Sequence, residues 1–324
     1  MAALLVLSRS ELMGLLSPLE LVVAVEEAAR DLHGGGAIVP QRGHLDWGGN
    51  TLLTMPAVAA GGIGMKMVCV VPGNAPKGLP VTSGLMILND GETGAPVAIM
   101  DAGALTAQRT GAVGGLGVKY MTPTTTSSMG IVGCGVQGAW QVIVACALRP
   151  IREVFCVYRS RESFEKFSET VARHAPDVEL VPCADARELL ERTSLVIAAT
   201  TSAEPVLPDE PTLLKGKHFI SVGSFKPGMQ ELPDSVYALA GCLAVDSEHA
   251  RHEVGDVINP CSKGLLGASD VFSIAECVAG DRAIDVTRTT AYKSAGMAIY
   301  DLRVAQAFLR AAIVHGIGRE VSLM

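Results

Sequence analysis

The most informative segment for the fold of this chain is Met129-Gly-Ile-Val-Gly-Cys-Gly-Val-Gln-Gly-Ala-Trp-Gln141. Its glycines Gly133, Gly135 and Gly138 follow the apolar residues 129–132 and open a helical pattern. In a strand-turn-helix unit the first glycine permits the tight turn, the second lets a pyrophosphate approach the backbone, and the third lets helix and strand pack closely. A glycine-rich turn that binds nothing is the alternative. The flanking strand and helix favour a dinucleotide-binding Rossmann unit.

The segments after this motif alternate between strand and helix patterns. Strands are predicted at 129–132, 154–158, 178–181, 195–200, 219–222 and 243–246. Strands that alternate with helices form a parallel sheet covered by helices, so an α/β fold with a doubly wound Rossmann sheet is predicted. A helix at 105–120 and a polar linker at 122–128 precede this sheet.

The residues after the second strand of this sheet indicate the cofactor. An NAD(H) site usually has Asp or Glu there, about 20 residues after the glycines, to bind the ribose 2′-hydroxyl. This chain instead reads Tyr158-Arg-Ser-Arg161. Arg159 and Arg161 can pair with a 2′-phosphate, and Ser160 can donate a hydrogen bond to it. The sequence therefore favours NADP(H) over NAD(H), unless these arginines belong to an exposed loop that binds nothing.

The first 120 residues have a different pattern, which predicts an α+β unit. A helix is expected at 18–32, with Ser17 as N-cap and glycines 34–36 at its end. The hairpin signal Asn89-Asp-Gly91 joins two of the predicted strands. These short strands lie at 51–55, 64–71, 84–88 and 96–100.

Both ends of the chain are also expected to form regular elements. The apolar N-terminal segment is predicted to be an edge strand. The helical pattern at 294–315 is apolar on a broad face, so that helix should return to the first unit or pack against a second subunit.

Three cations stand in settings of the first unit that are otherwise short of charge: Arg42, Lys66 and Arg109. Lys66 lies between Met65 and Met67 in a predicted strand, so its side chain points away from theirs, toward solvent or a pocket. Solvent is the ordinary interpretation for a single lysine. Three cations could instead converge on a carboxylate, which arginine binds through two hydrogen bonds.

Composition and spacing argue against several classes of partner. The chain has 26 Lys and Arg against 33 Asp and Glu, a net charge of -7, with no basic stripe, so nucleic acid is not expected as a partner. The N-terminal apolar run is too short for a membrane span and lacks secretory-signal features, so no membrane association is expected. The eight cysteines include no C-x-x-C pair, which indicates reduced thiols and a cytoplasmic protein. His249 and His252 have no third ligand nearby, so no metal site is predicted.

Motifs along nearly the whole chain resemble those of the ornithine cyclodeaminase and μ-crystallin family. They are Pro40-Gln-Arg42, Met55-Pro-Ala57, Gly64-Met-Lys66, Asn74-Ala-Pro-Lys-Gly-Leu-Pro80, Asp90-Gly-Glu-Thr-Gly94, Leu105-Thr-Ala-Gln-Arg-Thr-Gly-Ala112, the glycine motif, Gly223-Ser-Phe-Lys-Pro-Gly228 with Glu231, and Lys293-Ser-Ala-Gly-Met297. The resemblance implies a homodimer. Residues 1–120, with 294–324 returning to them, are expected to bind substrate and dimerise, and residues 121–293 to form the Rossmann domain for the nicotinamide cofactor.

The resemblance also implies roles for individual residues. The positions that match Arg42, Lys66 and Arg109 hold the substrate carboxylate and the reacting nitrogen in that family, which makes Lys66 the candidate catalytic residue. Asp246, at the end of a predicted strand, is a further candidate for lining the cleft. The candidate cofactor-binding residues are Thr110, Gly133, Gly135, Val136, Gln137, Gly138, Tyr158, Arg159, Ser160, Arg161, Thr200, Thr201, Ser202, Val222, Gly223 and Ser224.

One departure from the family pattern indicates the reaction. Ornithine cyclodeaminases carry an aspartate at the position of Ser224, where it handles the δ-amino group during ring closure. Without it, reduction of the C=N bond of a small cyclic 2-imino acid is predicted, such as Δ1-pyrroline-2-carboxylate giving proline. Arg42 and Arg109 would clamp the carboxylate, and Lys66, with a lowered pKa, would exchange a proton with the nitrogen.

Other functions stay open from the sequence. The nearest alternatives are an ornithine cyclodeaminase and an open-chain amino acid dehydrogenase of the alanine or iminosuccinate type. A non-catalytic binding protein of the μ-crystallin kind is the alternative from another class. The pair Arg159-Ser160 resembles the NADPH-binding loop of the ketimine-reductase branch, which favours the reductase.

Overall fold

The computed structural model describes residues 4–322, without the side chain of Ala75. Its strands are β1 (Leu4–Leu7), β2 (Ala37–Ile38), β3 (Gly43–Trp47), β4 (Asn50–Ala59), β5 (Gly62–Val70), β6 (Thr82–Asp90), β7 (Pro96–Asp101), β8 (Ser128–Val132), β9 (Glu153–Val157), β10 (Glu179–Pro182), β11 (Leu195–Ala198), β12 (His218–Ser221), β13 (Leu243–Val245), β14 (Val271–Ser273), β15 (Thr290–Lys293) and β16 (Arg319–Val321). Its α-helices are α1 (Arg9–Leu12), α2 (Pro18–His33), α3 (Ala102–Met121), α4 (Val136–Leu148), α5 (Arg161–His174), α6 (Ala186–Arg192), α7 (Pro211–Leu214), α8 (Asp234–Ala240), α9 (Ala250–Glu253), α10 (Gly255–Ser262), α11 (Ile274–Ala279) and α12 (Ala298–His315).

The chain divides into two compact units, between Arg109 and Thr110 and again between Gly296 and Met297. The first division falls inside α3. We call residues 110–296 the central unit and the rest of the described chain the terminal unit. No helix within residues 4–322 has the length and hydropathy needed to span a bilayer.

The terminal unit contains one sheet in the order β16-β1-β7-β6-β5-β4-β2, with β3 paired to β4. The predicted strands of this block are confirmed, and β6 and β7 form the antiparallel hairpin expected at Asn89-Asp-Gly91. Asp90 closes its turn, because one carboxylate oxygen accepts hydrogen bonds from the N–H and hydroxyl of Thr93 at 2.8 and 2.6 Å. Helix α2 begins after the predicted N-cap Ser17.

Two predictions about the chain ends need correction. β1 is not an edge strand, because it pairs with β7 on one side and with β16 on the other. β16 has the sequence Arg-Glu-Val, which is too short and too polar to be recognised as a strand by its pattern. The last helix begins at Ala298, after the predicted 294.

Helix α12 packs against α2, β4 and β5. Glycines on β5 allow this close approach: a Cβ on Gly64 would lie 3.0 Å from Cδ1 of Leu302. Because side chains alternate along a strand, Lys66 shares the face of Gly64 and points toward α12. The solvent-facing alternative for Lys66 is therefore wrong, and the side chain is only 3% exposed.

The central unit is built on a parallel sheet in the order β10-β9-β8-β11-β12-β15-β13-β14. From β8 the chain proceeds to β9 and β10 on one side and then to β11 and β12 on the other. This reversal places a crevice at the carboxyl ends of β8 and β11, which is where ligands bind in doubly wound sheets. The predicted α/β Rossmann fold is confirmed.

Two strands of this sheet were missed. β15 lies between β12 and β13, and β14 forms an edge. β14 has only three residues, and β15 reads Thr-Ala-Tyr-Lys, in which buried polar side chains interrupt the apolar pattern.

Candidate active site

The glycine loop between β8 and α4 has the shape of a phosphate-binding turn. Gly133 has a φ of 102°, a conformation that favours glycine, and a Cβ there would lie 2.5 Å from the carbonyl oxygen of Ala199. A Cβ on Gly138 would overlap the carbonyl oxygen of Gly133, so that residue allows the helix to start close to the strand. A Cβ on Gly135 would meet nothing within 4 Å. The backbone at Gly135 is therefore open to a ligand, as a pyrophosphate requires.

A cavity of about 490 Å³ lies at the carboxyl ends of β8, β9 and β11. No Asp or Glu of the described chain lines it. Predicted cofactor residues contribute most of the lining: Gly133, Gly135, Tyr158, Arg159, Ser160, Thr200, Thr201 and Ser202. The volume and the open glycine backbone fit part of a dinucleotide.

The two arginines after β9, Arg159 and Arg161, have different surroundings in the structure. Arg159 is exposed, lines the cavity, and makes no hydrogen bond or ion pair to the rest of residues 4–322. Ser160 is the N-cap of α5 and accepts a hydrogen bond from the N–H of Ser163 at 3.3 Å, which leaves its hydroxyl hydrogen free to donate. Arg161 does not line the cavity and instead pairs with Glu165 at 3.0 Å. Arg159 and Ser160 therefore line the cavity, whereas Arg161 does not.

The other predicted cofactor residues lie outside the cavity lining. Val136, Gln137 and Gly138 form the first turn of α4, where Val136 is exposed. Thr110 is buried in α3, and its carbonyl accepts a hydrogen bond from Gln141 at 2.9 Å. Val222, Gly223 and Ser224 follow β12 and are also absent from the lining.

One buried carboxylate fixes two of the loops at this edge of the sheet. Glu231 is fully buried, and its Oε1 accepts hydrogen bonds from the N–H and hydroxyl of Thr200 at 2.6 and 2.9 Å. Its Oε2 accepts from the N–H groups of Gly223 at 2.6 Å and Ser224 at 3.2 Å. The loops after β11 and β12 are therefore both bonded to one buried side chain, which stabilises their relative positions.

A second buried carboxylate, Asp256, determines where Ser224 points. It accepts hydrogen bonds from the hydroxyls of Ser224 and Tyr237, both at 2.5 Å, and from the N–H of Glu231 at 3.1 Å. Lys293 Nζ lies 3.9 Å from the same group. Burial, together with this neighbouring carboxylate, raises the pKa of Tyr237 well above its usual 10. The Ser224 hydroxyl thus binds inside the protein, and no local pattern in the sequence indicated Asp256.

Asp246, the additional cleft candidate, is also enclosed. It is 1% exposed and accepts hydrogen bonds from the hydroxyl of Ser294 at 3.0 Å and from the N–H groups of Ala295 and Gly296, both at 2.8 Å. This carboxylate holds the turn after β15. Within residues 4–322, no group of three or more His, Cys, Asp or Glu side chains could hold a metal ion.

In the terminal unit, two of the three predicted cations contact a carboxylate for which no role was predicted. Asp301 on α12 is fully buried; its Oδ2 lies 2.7 Å from Lys66 Nζ, and its Oδ1 accepts a 2.8 Å hydrogen bond from Arg109 Nε. Arg42 is close enough to act on the charge of Lys66. A lone aspartate in the apolar helix α12 was the available signal for this site.

The surroundings of Lys66 change its proton affinity. Desolvation by burial, with a smaller contribution from the positive charge of Arg109, lowers the pKa of Lys66 from 10.5 to about 8, while Asp301 opposes the shift. A lysine with a pKa near 8 can both hold and release a proton near neutral pH. The cluster can therefore bind an anion and exchange a proton with it.

Known proteins match over nearly all of this chain. The model of the ornithine cyclodeaminase/mu-crystallin family matches residues 3–313. Alanine dehydrogenase of Archaeoglobus fulgidus is 34% identical over 322 residues, which is 98% of this chain and 98% of that protein. Two solved structures have a TM-score of 0.90: Thermococcus litoralis Δ1-pyrroline-2-carboxylate reductase in complex with NADH and L-proline, 33% identical with 98% and 100% coverage, and an archaeal alanine dehydrogenase dimer with bound NAD, 32% identical with 99% and 100% coverage. The chain belongs to the ornithine cyclodeaminase/mu-crystallin family.

Proposed function

We propose that the protein is an NAD(P)H-dependent reductase that converts a small cyclic 2-imino acid, such as Δ1-pyrroline-2-carboxylate, to an L-amino acid. The observation that carries this proposal is the buried cluster in which the cations Lys66 and Arg109 share the single carboxylate of Asp301. Buried charges require partners, so the surplus positive charge favours a ligand that brings a carboxylate. The relative from Thermococcus litoralis, a Δ1-pyrroline-2-carboxylate reductase solved with L-proline, supports this substrate class.

The terminal nitrogens of Arg109 are suited to bind the substrate carboxylate. Only Nε is engaged, by Asp301, and the two terminal nitrogens make no hydrogen bond to any described residue. A guanidinium that presents two parallel N–H groups binds a carboxylate through two hydrogen bonds. Arg42 adds a second positive charge in range of the same cluster. Fixing the carboxylate in this way orients the C=N bond for reaction.

Lys66 is suited to supply the proton. A reduced nicotinamide, when bound, would supply the hydride to the imine carbon. As the hydride adds to carbon, the π electrons of the C=N bond move to nitrogen, which takes up a proton. Lys66 lies beside Asp301 together with Arg109, so its ammonium group is the proposed donor of that proton. Because the pKa of Lys66 is about 8, its protonated form is present at neutral pH and still acidic enough to react.

The central unit fits the nicotinamide cofactor, with NADP(H) favoured over NAD(H). The open backbone at Gly135 suits the pyrophosphate, while Arg159 and the Ser160 hydroxyl suit a 2′-phosphate. A cavity lined by no described carboxylate lacks the group that usually binds the 2′-hydroxyl of NAD. Two relatives carry NADH and NAD, so this preference would be a property of Arg159 and Ser160 in this chain.

Reduction is favoured over ornithine cyclisation because Glu231 and Asp246, the buried carboxylates at the strand ends, already accept hydrogen bonds within the protein. Ser224 stands where cyclodeaminases have an aspartate, and its hydroxyl is bound to Asp256. Glu231 and Asp246, which could replace that aspartate, are buried and already accept several hydrogen bonds each. The test is ammonia release from L-ornithine beside NADPH oxidation with Δ1-pyrroline-2-carboxylate: we expect oxidation without ammonia, and comparable ammonia release would establish the cyclodeaminase.

Alanine dehydrogenase is the second candidate, because the Archaeoglobus fulgidus relative carries that name. The same site could bind the open-chain imine of pyruvate, since Arg109 and Lys66 address only the carboxylate and the nitrogen. Rates of NADPH oxidation with pyruvate and ammonia, and with Δ1-pyrroline-2-carboxylate, distinguish the two. We expect a higher kcat/KM for the cyclic imine.

We also propose that the protein is a homodimer formed through the outer face of the sheet in the terminal unit, opposite α12. Five apolar side chains on this outer face are exposed: Ile38, Leu45, Val58, Met67 and Leu85. Contiguous exposed apolar surface of this kind is typical of an interface. A second copy is the proposed occupant, since the archaeal alanine dehydrogenase relative is a dimer.

A further inference from the structure

Asp301 connects three elements of the terminal unit. It lies on α12 and contacts Lys66 from β5 and Arg109 from α3, at 2.7 and 2.8 Å. All three side chains are nearly or completely buried. Oδ1 accepts a hydrogen bond from Arg109, and Oδ2 forms an ion pair with Lys66 without an aligned hydrogen bond, so one carboxylate contacts both cations.

The way Arg109 is bound leaves a specific part of it available. Asp301 takes Nε, which lies on the side of the guanidinium, rather than a terminal nitrogen. With Nε occupied, a carboxylate substrate can still make a two-point contact with the two terminal nitrogens. Binding through Nε therefore fixes the plane of the guanidinium without competing for its substrate-binding edge.

We propose that Asp301 is a positioning residue of the imine-reducing site: it orients Arg109 for the substrate carboxylate and holds the Lys66 ammonium for the imine nitrogen. This inference rests on the proposed function. Asp301 itself is fully buried and has both oxygens engaged, so it acts through its two partners and not on the substrate.

The charges around Lys66 give the proposal a measurable signature. Arg109 from α3 and Arg42 both lower the pKa of Lys66, and Asp301 from α12 raises it. Removing the Asp301 charge therefore lowers the pKa of Lys66 below about 8. The lysine then loses its proton at a lower pH, and the alkaline limb of the rate profile moves with it.

The first experiment compares the pH dependence of kcat/KM for imine reduction in the wild type and in Asp301→Asn. The wild type should lose kcat/KM as the pH rises through about 8. The variant should have its alkaline limb at a lower pH and a kcat/KM reduced on the order of 100-fold at neutral pH. A limb at the wild-type position would contradict the proposal.

Asp31→Asn is the matched control. Asp31 accepts a hydrogen bond from Arg303, also on α12, at 2.6 Å, so this variant removes a carboxylate that binds the same helix outside the cluster. A loss of stability is the only effect expected from it. The proposal fails if Asp31→Asn moves the alkaline limb as far as Asp301→Asn does.

Two further measurements test the role of Asp301 if Asp301→Asn does not fold or if the wild type reduces no imine. If Asp301→Asn does not fold, Asp301→Glu retains the charge but shifts the cations, so it should lower kcat/KM with the limb unmoved; wild-type kcat/KM would contradict the proposal. If the wild type reduces no imine, the proposed function fails separately. Calorimetric binding of pyrrole-2-carboxylate to wild type and to the folded variant then decides the role of Asp301, with weaker binding expected and equal binding contradicting it.

Discussion

Lys66 Nζ lies 2.7 Å from Oδ2 of Asp301, and neither side chain is more than 3% exposed. The lysine lies on β5, inside the sheet of the terminal unit, and the aspartate lies on α12, the last helix of the described chain. The candidate site of the terminal unit therefore depends on a contact between two residues that are far apart in the sequence.

Replacing Lys66 with Met should make the stability of the protein less dependent on pH. The pKa of Lys66 is lowered from 10.5 to about 8, so the unfolded chain binds the lysine proton more tightly than the folded chain does. Between about pH 8 and 10.5 the wild type should gain stability with rising pH relative to Lys66→Met, by up to about 3 kcal/mol.

Urea unfolding of both proteins at one protein concentration, at several pH values from about 7 to 10, measures this difference. A constant difference in the free energy of unfolding across the range would show that the lysine keeps its ordinary proton affinity.

The preference for NADPH is expected to depend on Arg159. Its guanidinium and the Ser160 hydroxyl should favour NADPH over NADH by about 1 to 3 kcal/mol through charge-assisted hydrogen bonds. Arg159→Asp should reverse the preference, since it introduces repulsion toward a 2′-phosphate. Fluorescence titration of each protein with both cofactors gives the dissociation constants.

Arg161→Asp makes the same charge change two residues away. Because Arg161 pairs with Glu165 and does not line the cavity, its substitution should alter the preference less. Equal dissociation constants for NADPH and NADH in the wild type would remove the basis for the NADP(H) assignment.

Local patterns in the sequence were sufficient to predict the Rossmann sheet and its glycine loop. The spacing of Gly133, Gly135 and Gly138 indicates a dinucleotide-binding turn, because a predicted strand directly precedes these glycines and a predicted helix directly follows. β15 could not be recognised in this way. Its Lys293 is fully buried, and it is stabilised by Ser221 at 3.1 Å, a contact between distant residues.

In the candidate site, too, features that follow from local sequence were predicted and features that depend on tertiary contacts were not. That Lys66 and Arg109 would lie together was predicted, because cations in a unit otherwise short of charge could converge on a carboxylate. Asp301 was not, since its partners lie at the other end of the sequence. Burial of the Ser224 hydroxyl against Asp256 is likewise a property of tertiary packing.

Dimerisation is expected to fail when a charge is placed on the outer face of the sheet. Leu85 is 42% exposed on β6, beside Met67 of β5, and Leu85→Lys should give a monomer because a buried unpaired ammonium is unfavourable. Val23→Lys, on the exposed side of α2, should remain a dimer. Light scattering at micromolar concentration reads the mass of each, and a monomeric wild type would remove the proposed interface.

The most direct test of the account is the steady-state reduction of Δ1-pyrroline-2-carboxylate by NADPH, with wild type and Lys66→Met measured side by side and the product analysed on a chiral column. The wild type should form L-proline in equal amount to the NADPH oxidised. Lys66→Met should lose on the order of 100-fold or more in kcat, since it lacks the proton donor, while its NADPH dissociation constant stays close to that of the wild type. Normal turnover by Lys66→Met, or no imine reduction by the wild type, would contradict the account.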